Sequence, residues 1–516
     1  MTGMMSQPGL PQVFAVIVAS FMLAVVVWSL SAPVRGRTVI RRLSLGALPS
    51  LRPLIRVATR TPWVLLPARI VMVALFALAI VAGFFGTPIP ARNFATVVTW
   101  TFWWGGVVLA ALLLGSVWCA ICPWQTVSGW FVHKRLWRRA SSEAGLNLRL
   151  PRWARNTWPA SILLLVLIWL EFGFGMSSSP FATAVVGLGF VGMATLGLAV
   201  FERRAWCRYF CPAGRMIAAY AQLAPVELRP VDTGICAGCR THECYHGTDD
   251  VDLCPAHLVV GQLRESTFCT SCGNCARACP SENVAWQLRL PASDALHEAR
   301  PRWDHAWFML VILMSAQYHG LTMIPLWGQA SHALANVLGE AGAGLWGFSL
   351  SFVVTMSVLA LPFTVTVWLG WRLGGRREEF RALFARFAFV LLPLALSYHV
   401  AHNLTHFSRE GMDIFAVAAN PVGTGAEPVS MAERSMRQMN QLLALDQIHL
   451  LQAAFLMLGF LGAVLILRNR GFGVGSGDSG QSWIGRNRTL LPVLVYVITM
   501  SAFHLWLVMQ PMQMRM

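Results

Sequence analysis

Charged residues are scarce in this sequence, and the usual signatures of substrate-converting enzymes are missing. Asp, Glu, Lys and Arg make up 12% of the 516 residues, about half of the roughly 25% found in soluble globular domains. No nucleophile motif, phosphate-binding loop or GxGxxG fingerprint stands out. These absences argue against a soluble enzyme, and they leave open a subunit of a quinol or metal-ion oxidoreductase.

Apolar runs take the place of charge, with 56% hydrophobic residues. A bilayer core is crossed by about 20 apolar helical residues, so the sequence predicts an all-α polytopic membrane protein of about ten transmembrane helices. Five of them precede, and five follow, one polar, turn-rich segment. We therefore predict membrane domains at 1–201 and 305–516 and a soluble domain at 202–304. The predicted spans are 13–31, 63–86, 98–118, 157–175, 182–201, 305–327, 346–370, 382–404, 447–467 and 489–510.

The basic residues indicate the orientation of the chain. A net charge of +17 would suit a nucleic-acid-binding protein, but the arginines lie in short loops between apolar runs, so no nucleic-acid partner is expected. Basic loops of membrane proteins lie in the cytoplasm. We predict a bacterial inner-membrane protein with periplasmic termini and cytoplasmic residues 202–304. The first span, which no Lys or Arg precedes, is predicted to stay uncleaved. The arginine-rich loops are 33–62, 123–156, 371–381 and 468–488.

The most specific pattern consists of Cys269, Cys272, Cys275 and Cys279, followed by Pro280. The run C-x2-C-x2-C-x3-C-P is the one with which bacterial-type ferredoxins bind [4Fe–4S] clusters. Three thiolates at this spacing bind one cluster, and the fourth serves a neighbouring cluster. The pattern predicts an iron–sulfur site, with a zinc knuckle or a disulfide knot as weaker alternatives.

A second, stretched cysteine set precedes the first one. In two-cluster ferredoxins the last cysteine of each run binds the other cluster, so we expect a ferredoxin-like domain with two [4Fe–4S] clusters and crossed ligands. The alternative is one cluster plus a zinc loop that uses His242 or His246. The expected ligand sets are Cys236, Cys239, Cys244 and Cys279 for one cluster and Cys269, Cys272, Cys275 and Cys254 for the other.

The remaining four cysteines form two pairs at helix ends. Cys119 and Cys122 follow the third predicted span, Cys207 and Cys211 follow the fifth, and a proline comes directly after each pair. The predicted orientation places both pairs at the cytoplasmic membrane face, where two helix ends can bring four thiols together. Twelve cysteines divide into three sets of four, which favours a third metal or cluster site. A redox-active dithiol, a copper site and free packed cysteines are the alternatives.

The stretch Trp206–Gly214, which contains Cys207 and Cys211, resembles the membrane polyferredoxins of the NosR/NapH kind and the related cytochrome-oxidase assembly ferredoxins of the CcoG/RdxA kind. The similarity covers about residues 60–300. It implies 4Fe-4S electron transfer between the quinone pool or redox proteins and a respiratory complex or a metalloenzyme under assembly. The sequence departs from the pattern of these families in two ways. Two residues rather than three separate Cys119 from Cys122, and the last five predicted helices are not part of the family pattern.

Histidines recur in the last five predicted helices. From a helical rise of about 1.5 Å per residue, four of them are predicted at a similar depth in the outer third of the membrane: His319, His399, His449 and His504. His402 shares a helix face with His399 and His406. Intramembrane histidines are usually functional. They predict haem b between His399 and His449 or His504, a quinone site or a copper site; interhelical hydrogen bonds are the alternative.

Two further features bear on these alternatives. Glu171 is an intramembrane acid that would take a proton from a quinol, or else an ordinary interfacial carboxylate. Thioethers select Cu(I), although methionine is also common filler in membrane proteins. The candidate methionines are Met412, Met431, Met436, Met439, Met509, Met512, Met514 and Met516.

Clusters on one side and a candidate redox site on the other predict a transmembrane electron-transfer protein. A hydrocarbon layer of about 30 Å is too wide for a single electron-transfer step, so we expect a haem or quinone at the outer histidines. The alternatives are a copper or iron reductase that helps to assemble a respiratory metalloenzyme, and a redox-sensing regulator without net electron flow.

Overall fold

Helices make up most of the computed structural model, which describes residues 6–7, 9–32, 42–61, 63–133, 145–340, 344–376, 378–430, 432–433, 436, 441–471 and 488–513. The α-helices up to residue 220 are α1 (Gln12–Ser31), α2 (Arg52–Arg60), α3 (Leu66–Phe85), α4 (Phe94–Thr96), α5 (Trp104–Leu114), α6 (Trp118–Ile121), α7 (Pro123–His133), α8 (Trp158–Phe174), α9 (Pro180–Val200) and α10 (Pro212–Tyr220). The cysteine-rich segment, residues 202–304, adds α11 (Thr233–Gly238), α12 (Glu243–His246) and α13 (Asn274–Ala278). The C-terminal part contains α14 (Trp303–Thr322), α15 (Pro325–Val337), α16 (Leu345–Leu373), α17 (Phe380–Phe387), α18 (Leu391–Glu410), α19 (Asp413–Ala419), α20 (Leu445–Gly471) and α21 (Leu491–Met509).

Eight helical stretches of the described chain are long and apolar enough to cross a membrane, which fits a multi-pass membrane protein. The sequence predicted about ten. The predicted span 157–175 is the 17-residue helix α8, and the predicted span 305–327 is α14, which is followed by α15 after a bend of 90°. Pro325 begins α15, and because proline cannot donate a backbone hydrogen bond, it separates the two helices.

The best-packed part of the bundle lies where α18 crosses α20. Helix α18 is buried along most of its length, as expected for a helix surrounded by other helices. A Cβ on Gly459 of α20 would come within 2.1 Å of Ser397 Oγ of α18, so this glycine allows the close approach. On the periphery, Val13 of α1 and Phe85 of α3 are 61% and 79% exposed, which suits contact with lipid.

A three-stranded antiparallel sheet joins two strands of the cysteine-rich segment to one strand from the loop after α1. Its order is β2 (Leu43–Ser44), β4 (Val284–Leu288) and β3 (Val226–Pro230). Strand β2 comes from the loop after α1, which the sequence analysis assigned to the N-terminal membrane domain. The polar part of the fold therefore includes residues outside 202–304.

Buried ion pairs hold this sheet together. The Arg289 guanidinium lies 2.8 Å from Glu227 and also contacts Asp294. Arg42 lies 2.6 Å from Glu227 and 2.7 Å from Glu298. The three carboxylates bring oxygen atoms within 4.8 Å of one another, as a metal site would. Because arginines already neutralise them, we interpret the group as a structural network.

Some predicted features lie outside the described residues. They are parts of the arginine-rich loops, at 33–41, 134–144, 377 and 472–487, and the methionines Met431, Met439, Met514 and Met516.

Candidate metal centres

The two Cys-Pro steps place cysteines at abrupt corners between helices. Helix α5 ends before Gly115, whose φ of +67° is a conformation that favours glycine. The chain then forms the short helix α6, and Pro123 begins α7 directly after Cys122. At the second corner Pro212 begins α10, and the Cys211 Sγ accepts a hydrogen bond from the Gly214 N–H at 3.3 Å. Proline at a helix start thus fixes where each pair ends.

Cys119, Cys122, Cys207 and Cys211, here called the cysteine quartet, lie close enough to interact electrostatically. Burial raises the pKa of the Cys211 thiol well above its usual value, and the thiolates of Cys207, Cys122 and Cys119 raise it further. Cys211 is buried and the other three are partly buried, and four thiolates that repel one another would be stabilised by a bound cation or cluster. The structure therefore brings together the four thiols that the sequence grouped.

Cys236, Cys239, Cys244 and Cys279 form a second group, here called site A. Burial raises the pKa of the Cys244 thiol, and the thiolates of Cys239, Cys236 and Cys279 raise it further. Asn283 contacts two of the sulfurs, because its backbone N–H donates to Cys279 and its side-chain amide donates to Cys236, both at 3.4 Å. These four cysteines are the first crossed set expected from the sequence.

Cys254, Cys269, Cys272 and Cys275 form the third group, here called site B. Burial raises the pKa of the Cys275 thiol well above its usual value, and Cys269, Cys272 and Cys254 contribute in the same direction. Backbone N–H groups donate to two of the sulfurs, at 3.4 Å to Cys269 and 3.4 Å to Cys254. Such hydrogen bonds to sulfur set the reduction potentials of iron–sulfur clusters.

The cysteine groups are wider than a zinc site. Zn–S bonds of about 2.3 Å in a tetrahedron hold sulfurs about 3.8 Å apart. In the described chain, which includes all twelve cysteines, the groups of three or more ligand atoms within 4.8 Å consist of histidines or carboxylates only. In a cubane, iron and sulfide lie between the thiolates, so the ligand sulfurs lie further apart than in a zinc site. Neither His242 nor His246 joins a zinc-sized group.

We expect Asn283→Asp to lower the reduction potential of a cluster at site A. The change removes the N–H donor to Cys236 and adds a negative charge beside the cluster, and both effects disfavour the reduced form. The carboxylate keeps the oxygen that accepts from the Asp232 N–H at 2.9 Å but loses the donor to the Asp232 carbonyl at 2.6 Å, so the iron content of the variant is measured as well. A redox titration followed by EPR measures the shift.

Gln262→Glu is the matched control, because it makes the same amide-to-acid change at an exposed position next to Gly261, which packs against Cys236. Because water screens this charge, the reduction potential should shift clearly less in Gln262→Glu than in Asn283→Asp. An Asn283→Asp protein with an unchanged potential would contradict the role assigned to the amide.

A buried arginine lies between site B and the quartet. Arg215, which is 4% exposed, donates to the Thr267 carbonyl at 2.8 Å and lies 4.7 Å from the Phe268 ring centre. Its Nε has no hydrogen-bond partner, and a narrow cavity joins it to Cys119 and Cys269. The guanidinium is thus placed to stabilise anionic clusters on both sides.

An apolar cavity of about 170 Å³ begins beside the quartet. Pro123 and Ala213, which neighbour the quartet in sequence, line one end of it, and Glu171 is the one ionisable residue of its lining. The rest of the lining is mostly apolar and aromatic, includes the hydroxyl-bearing Thr99 and Thr183, and comes mainly from α3, α8, α9 and residues 95–104. Such a cavity suits a hydrophobic ligand with one polar ring.

Tryptophan rings connect the quartet to the histidines. Trp118 precedes Cys119, and its ring centre lies 5.9 Å from that of Trp103. Trp103 in turn lies 5.9 Å from Trp104, whose ring is 5.7 Å from His399. Trp103 belongs to a π-helical stretch at Val97–Trp103, an irregularity that is frequent at functional sites.

Three of the membrane histidines converge. His319 of α14 and His402 and His406 of α18 each place one ring nitrogen within 4.8 Å of the others. From the sequence, His319 is predicted at the same depth as histidines of other helices, and His406 is predicted only to share a helix face with His402. Helix depth could not show which faces of α14 and α18 meet.

The other candidate histidines have separate neighbours. His399 Nδ1 lies 3.3 Å from the Tyr220 hydroxyl, and the ring of His449 packs against Phe14 with centres 6.0 Å apart. The Nε2 of His504 lies 2.9 Å from the Gln317 amide nitrogen.

The space between these histidines does not fit haem b. The Tyr398 ring stacks against both His402 and His504, with centres 5.8 and 4.7 Å apart. The cavity lined by His319, His399 and His402 measures about 30 Å³, room for about two water molecules and far less than a porphyrin needs. Haem between His399 and His449 or His504 therefore stays a prediction from the sequence, one that this small cavity does not favour.

The structure describes four of the candidate methionines: Met412, Met436, Met509 and Met512. Met512 lies in β5 (Met512–Gln513), which pairs with β1 (Ser6–Gln7). Met412 and Met436 are 38% and 52% exposed. Copper at the methionine tail stays a prediction from the sequence.

Two comparisons with known proteins bear on these centres. The family model of a 4Fe-4S binding domain matches residues 96–140 and 183–225, and each matched segment contains one cysteine pair of the quartet. The "Putative electron transport protein YccM" of Escherichia coli (strain K12) is 25% identical over 252 residues. The match covers 42% of this chain and 65% of that relative, slightly under two thirds of its length. No solved structure matches the chain.

The family-model match confirms the iron–sulfur binding predicted from the sequence, and the name of the relative agrees with the predicted electron transport. They do not separate the NosR/NapH kind from the CcoG/RdxA kind. By these comparisons the chain carries a match to a 4Fe-4S binding domain and is similar to a protein named as a putative electron transport protein.

Proposed function

We propose that this chain transfers electrons between two [4Fe–4S] clusters, at sites A and B, and a quinone in the membrane, through a third cluster at the quartet. The observation that carries the proposal is the apolar cavity that begins beside the quartet and reaches Glu171. Bound clusters supply one-electron transfer, whereas a quinol releases two electrons and two protons. The quinone site therefore needs an electron carrier on one side and a proton-binding group on the other.

The order of the centres supports a continuous route. Site A lies at the protein surface, since all residues of α11, which carries Cys236, are at least partly exposed, and a soluble redox partner can approach it. The cluster of site B lies further in, and Arg215 separates it from the quartet. Because Pro123 and Pro212, the residues directly after Cys122 and Cys211, line the cavity, a quinone bound there would lie near the third cluster.

The arginine-rich loops support a cytoplasmic position for sites A and B. Arg277 of α13 donates to the Ala58 carbonyl of α2 at 3.2 Å. Helix α2 carries exposed Arg52, Arg56 and Arg60, and the cysteine-rich segment thus lies on the same side as this basic loop. By the rule that basic loops stay inside, the proposed location is the cytoplasmic face of a bacterial inner membrane.

Glu171 is the proposed proton-binding group. Its Oε1 lies 4.0 Å from the Nδ1 of His319, so a proton taken from a quinol can pass on to the imidazole. When quinone is reduced instead, the same pair supplies the proton. The apolar lining would hold the quinone ring and isoprenoid chain away from water.

We expect Glu171→Gln to slow quinol-dependent cluster reduction by about 100-fold, because loss of a positioned proton acceptor typically costs 10²- to 10⁴-fold. The iron content should stay at the wild-type value, since glutamine fills the same volume. Stopped-flow bleaching of cluster absorbance after mixing anaerobic protein with a short-chain quinol measures the rate.

Glu379→Gln, at an exposed position before α17, is the matched control and should reduce at the wild-type rate. If dithionite reduces the wild-type clusters and no quinol does, the quinone proposal fails. That outcome would favour the metal-ion reductase or the redox-sensing regulator.

A further inference from the structure

We infer that His319, His402 and His406 form a binding site for one transition-metal ion inside the membrane domain. The site goes beyond the quinone proposal and does not depend on it. Transition metals bind imidazole nitrogen at about 2.0–2.1 Å, so nitrogens around one ion lie about 3.3–4.2 Å apart. The three ring nitrogens already lie within 4.8 Å of one another, and small side-chain movements would close the site.

The central histidine lacks hydrogen-bond partners among the described residues. His402 is 3% exposed, and neither of its ring nitrogens pairs with another atom of the described chain. A buried polar group that stays unpaired costs free energy, and such groups are rare in folded proteins. Its ring lies 4.8 Å from that of His319 and 5.3 Å from that of His406, where an ion would satisfy one nitrogen of each.

A carboxylate hydrogen-bonds to one of the outer histidines. Glu410 Oε1 lies 3.3 Å from His406 Nδ1, and the second oxygen of Glu410 accepts from the Thr101 hydroxyl at 3.1 Å. A carboxylate that accepts from one ring nitrogen fixes the tautomer and leaves the other nitrogen of His406 to bind metal, which is the usual arrangement around metal-bound histidine.

The donor set defines the class of metal. Three imidazoles suit zinc, copper, iron or nickel rather than calcium or magnesium, which prefer oxygen ligands. The adjacent cavity of about 30 Å³ has room for about two waters, so a fourth ligand from solvent fits beside the ion.

Zn²⁺ is the probe of choice, because it is redox-inactive and is measured independently of cluster iron. Anaerobically purified full-length protein is treated with a mild chelator, equilibrated with Zn²⁺ by dialysis and analysed for zinc, iron and acid-labile sulfide. We expect one tightly bound Zn²⁺ per chain and, at the zinc K-edge, X-ray absorption typical of imidazole ligands. Protein with full cluster content that binds no zinc, or binds it through sulfur, would overturn the inference.

His402→Leu should weaken zinc binding by at least about 100-fold, since loss of even a supporting carboxylate costs about 10- to 100-fold. Leucine also removes the unpaired nitrogens, so the variant should fold and keep its iron. Glu410→Gln should bind zinc about 10- to 100-fold more weakly.

His449→Gln, outside the group, is the control and should bind zinc like the wild type. Equal zinc binding by His402→Leu, or equal losses in His402→Leu and His449→Gln, would contradict the site. Quinol-dependent cluster reduction is measured on the same samples, so failure of the metal site and failure of the quinone proposal are told apart.

Discussion

A Cys211→Ser variant should lose about four of about twelve iron atoms per chain, and a quinol should no longer reduce the clusters of sites A and B. A serine hydroxyl does not ionise at neutral pH, so it is a poor replacement for a thiolate ligand. Cys211 is 6% exposed, so water has little access to fill the vacant coordination position. The remaining clusters should still be reduced by dithionite, because their ligands are unchanged.

The cluster count is measured by iron and acid-labile sulfide analysis and by EPR of the dithionite-reduced protein. The quinol assay measures whether electrons from a quinol reach the clusters of sites A and B. Ser116→Ala is the matched control: its buried hydroxyl has no partner and lies by the cavity that contains Cys119 and Arg215. It should keep all the iron and the quinol reactivity. A Cys211→Ser protein with the wild-type iron content and quinol rate would exclude a cluster at the quartet.

The cysteine centres could be predicted from sequence because their ligands are set by short spacings. A run such as Cys269 to Cys275 fixes three thiolates around one cluster with little help from the rest of the fold. The Cys-Pro steps at Cys122 and Cys211 were also visible, since proline marks a helix start. The family match falls on the two segments that hold these pairs.

The histidine group could be predicted only in part. His402 and His406 are four residues apart, so one helical turn places them on the same face. His319 joins them through the way α14 packs on α18, and its depth along α14 does not specify its direction around the helix axis. The predicted depth along each helix therefore placed His319 in one group with His449 and His504. In the structure these two histidines contact other residues.

The contribution of β2 to the polar domain could not be predicted from the sequence for a different reason. Strand β2 has two residues, too few for an alternating pattern, and it pairs with β4 across more than 200 positions of sequence. The buried charges gave no local signal either, because Arg42 and Glu227 become partners only when the sheet forms.

Arg289→Met should destabilise the cysteine-rich segment by about 3 kcal/mol, the lower end of the cost of removing one partner of a buried charge. The cost stays at this end because Glu227 keeps its contacts with Arg42 and Arg229. The side chains of Arg289, Glu227 and Asp294 are all 0% exposed. Methionine keeps much of the volume but none of the charge, so two carboxylates lose a cation that contacts both. The midpoint guanidinium chloride concentration for loss of cluster absorbance should fall accordingly.

Arg60→Ala provides the comparison within the same part of the molecule. Arg60 lies 3.6 Å from Glu282, but the two side chains are 64% and 79% exposed, and exposed ion pairs contribute about 1 kcal/mol at most. Its midpoint should stay near that of the wild type. Because the Arg289 network ties β3 and β4 to the loop that supplies β2, the Arg289→Met protein should also release iron faster on warming. If both variants unfold at the wild-type midpoint, the buried charges do not hold the segment together, and the clusters themselves must supply its stability.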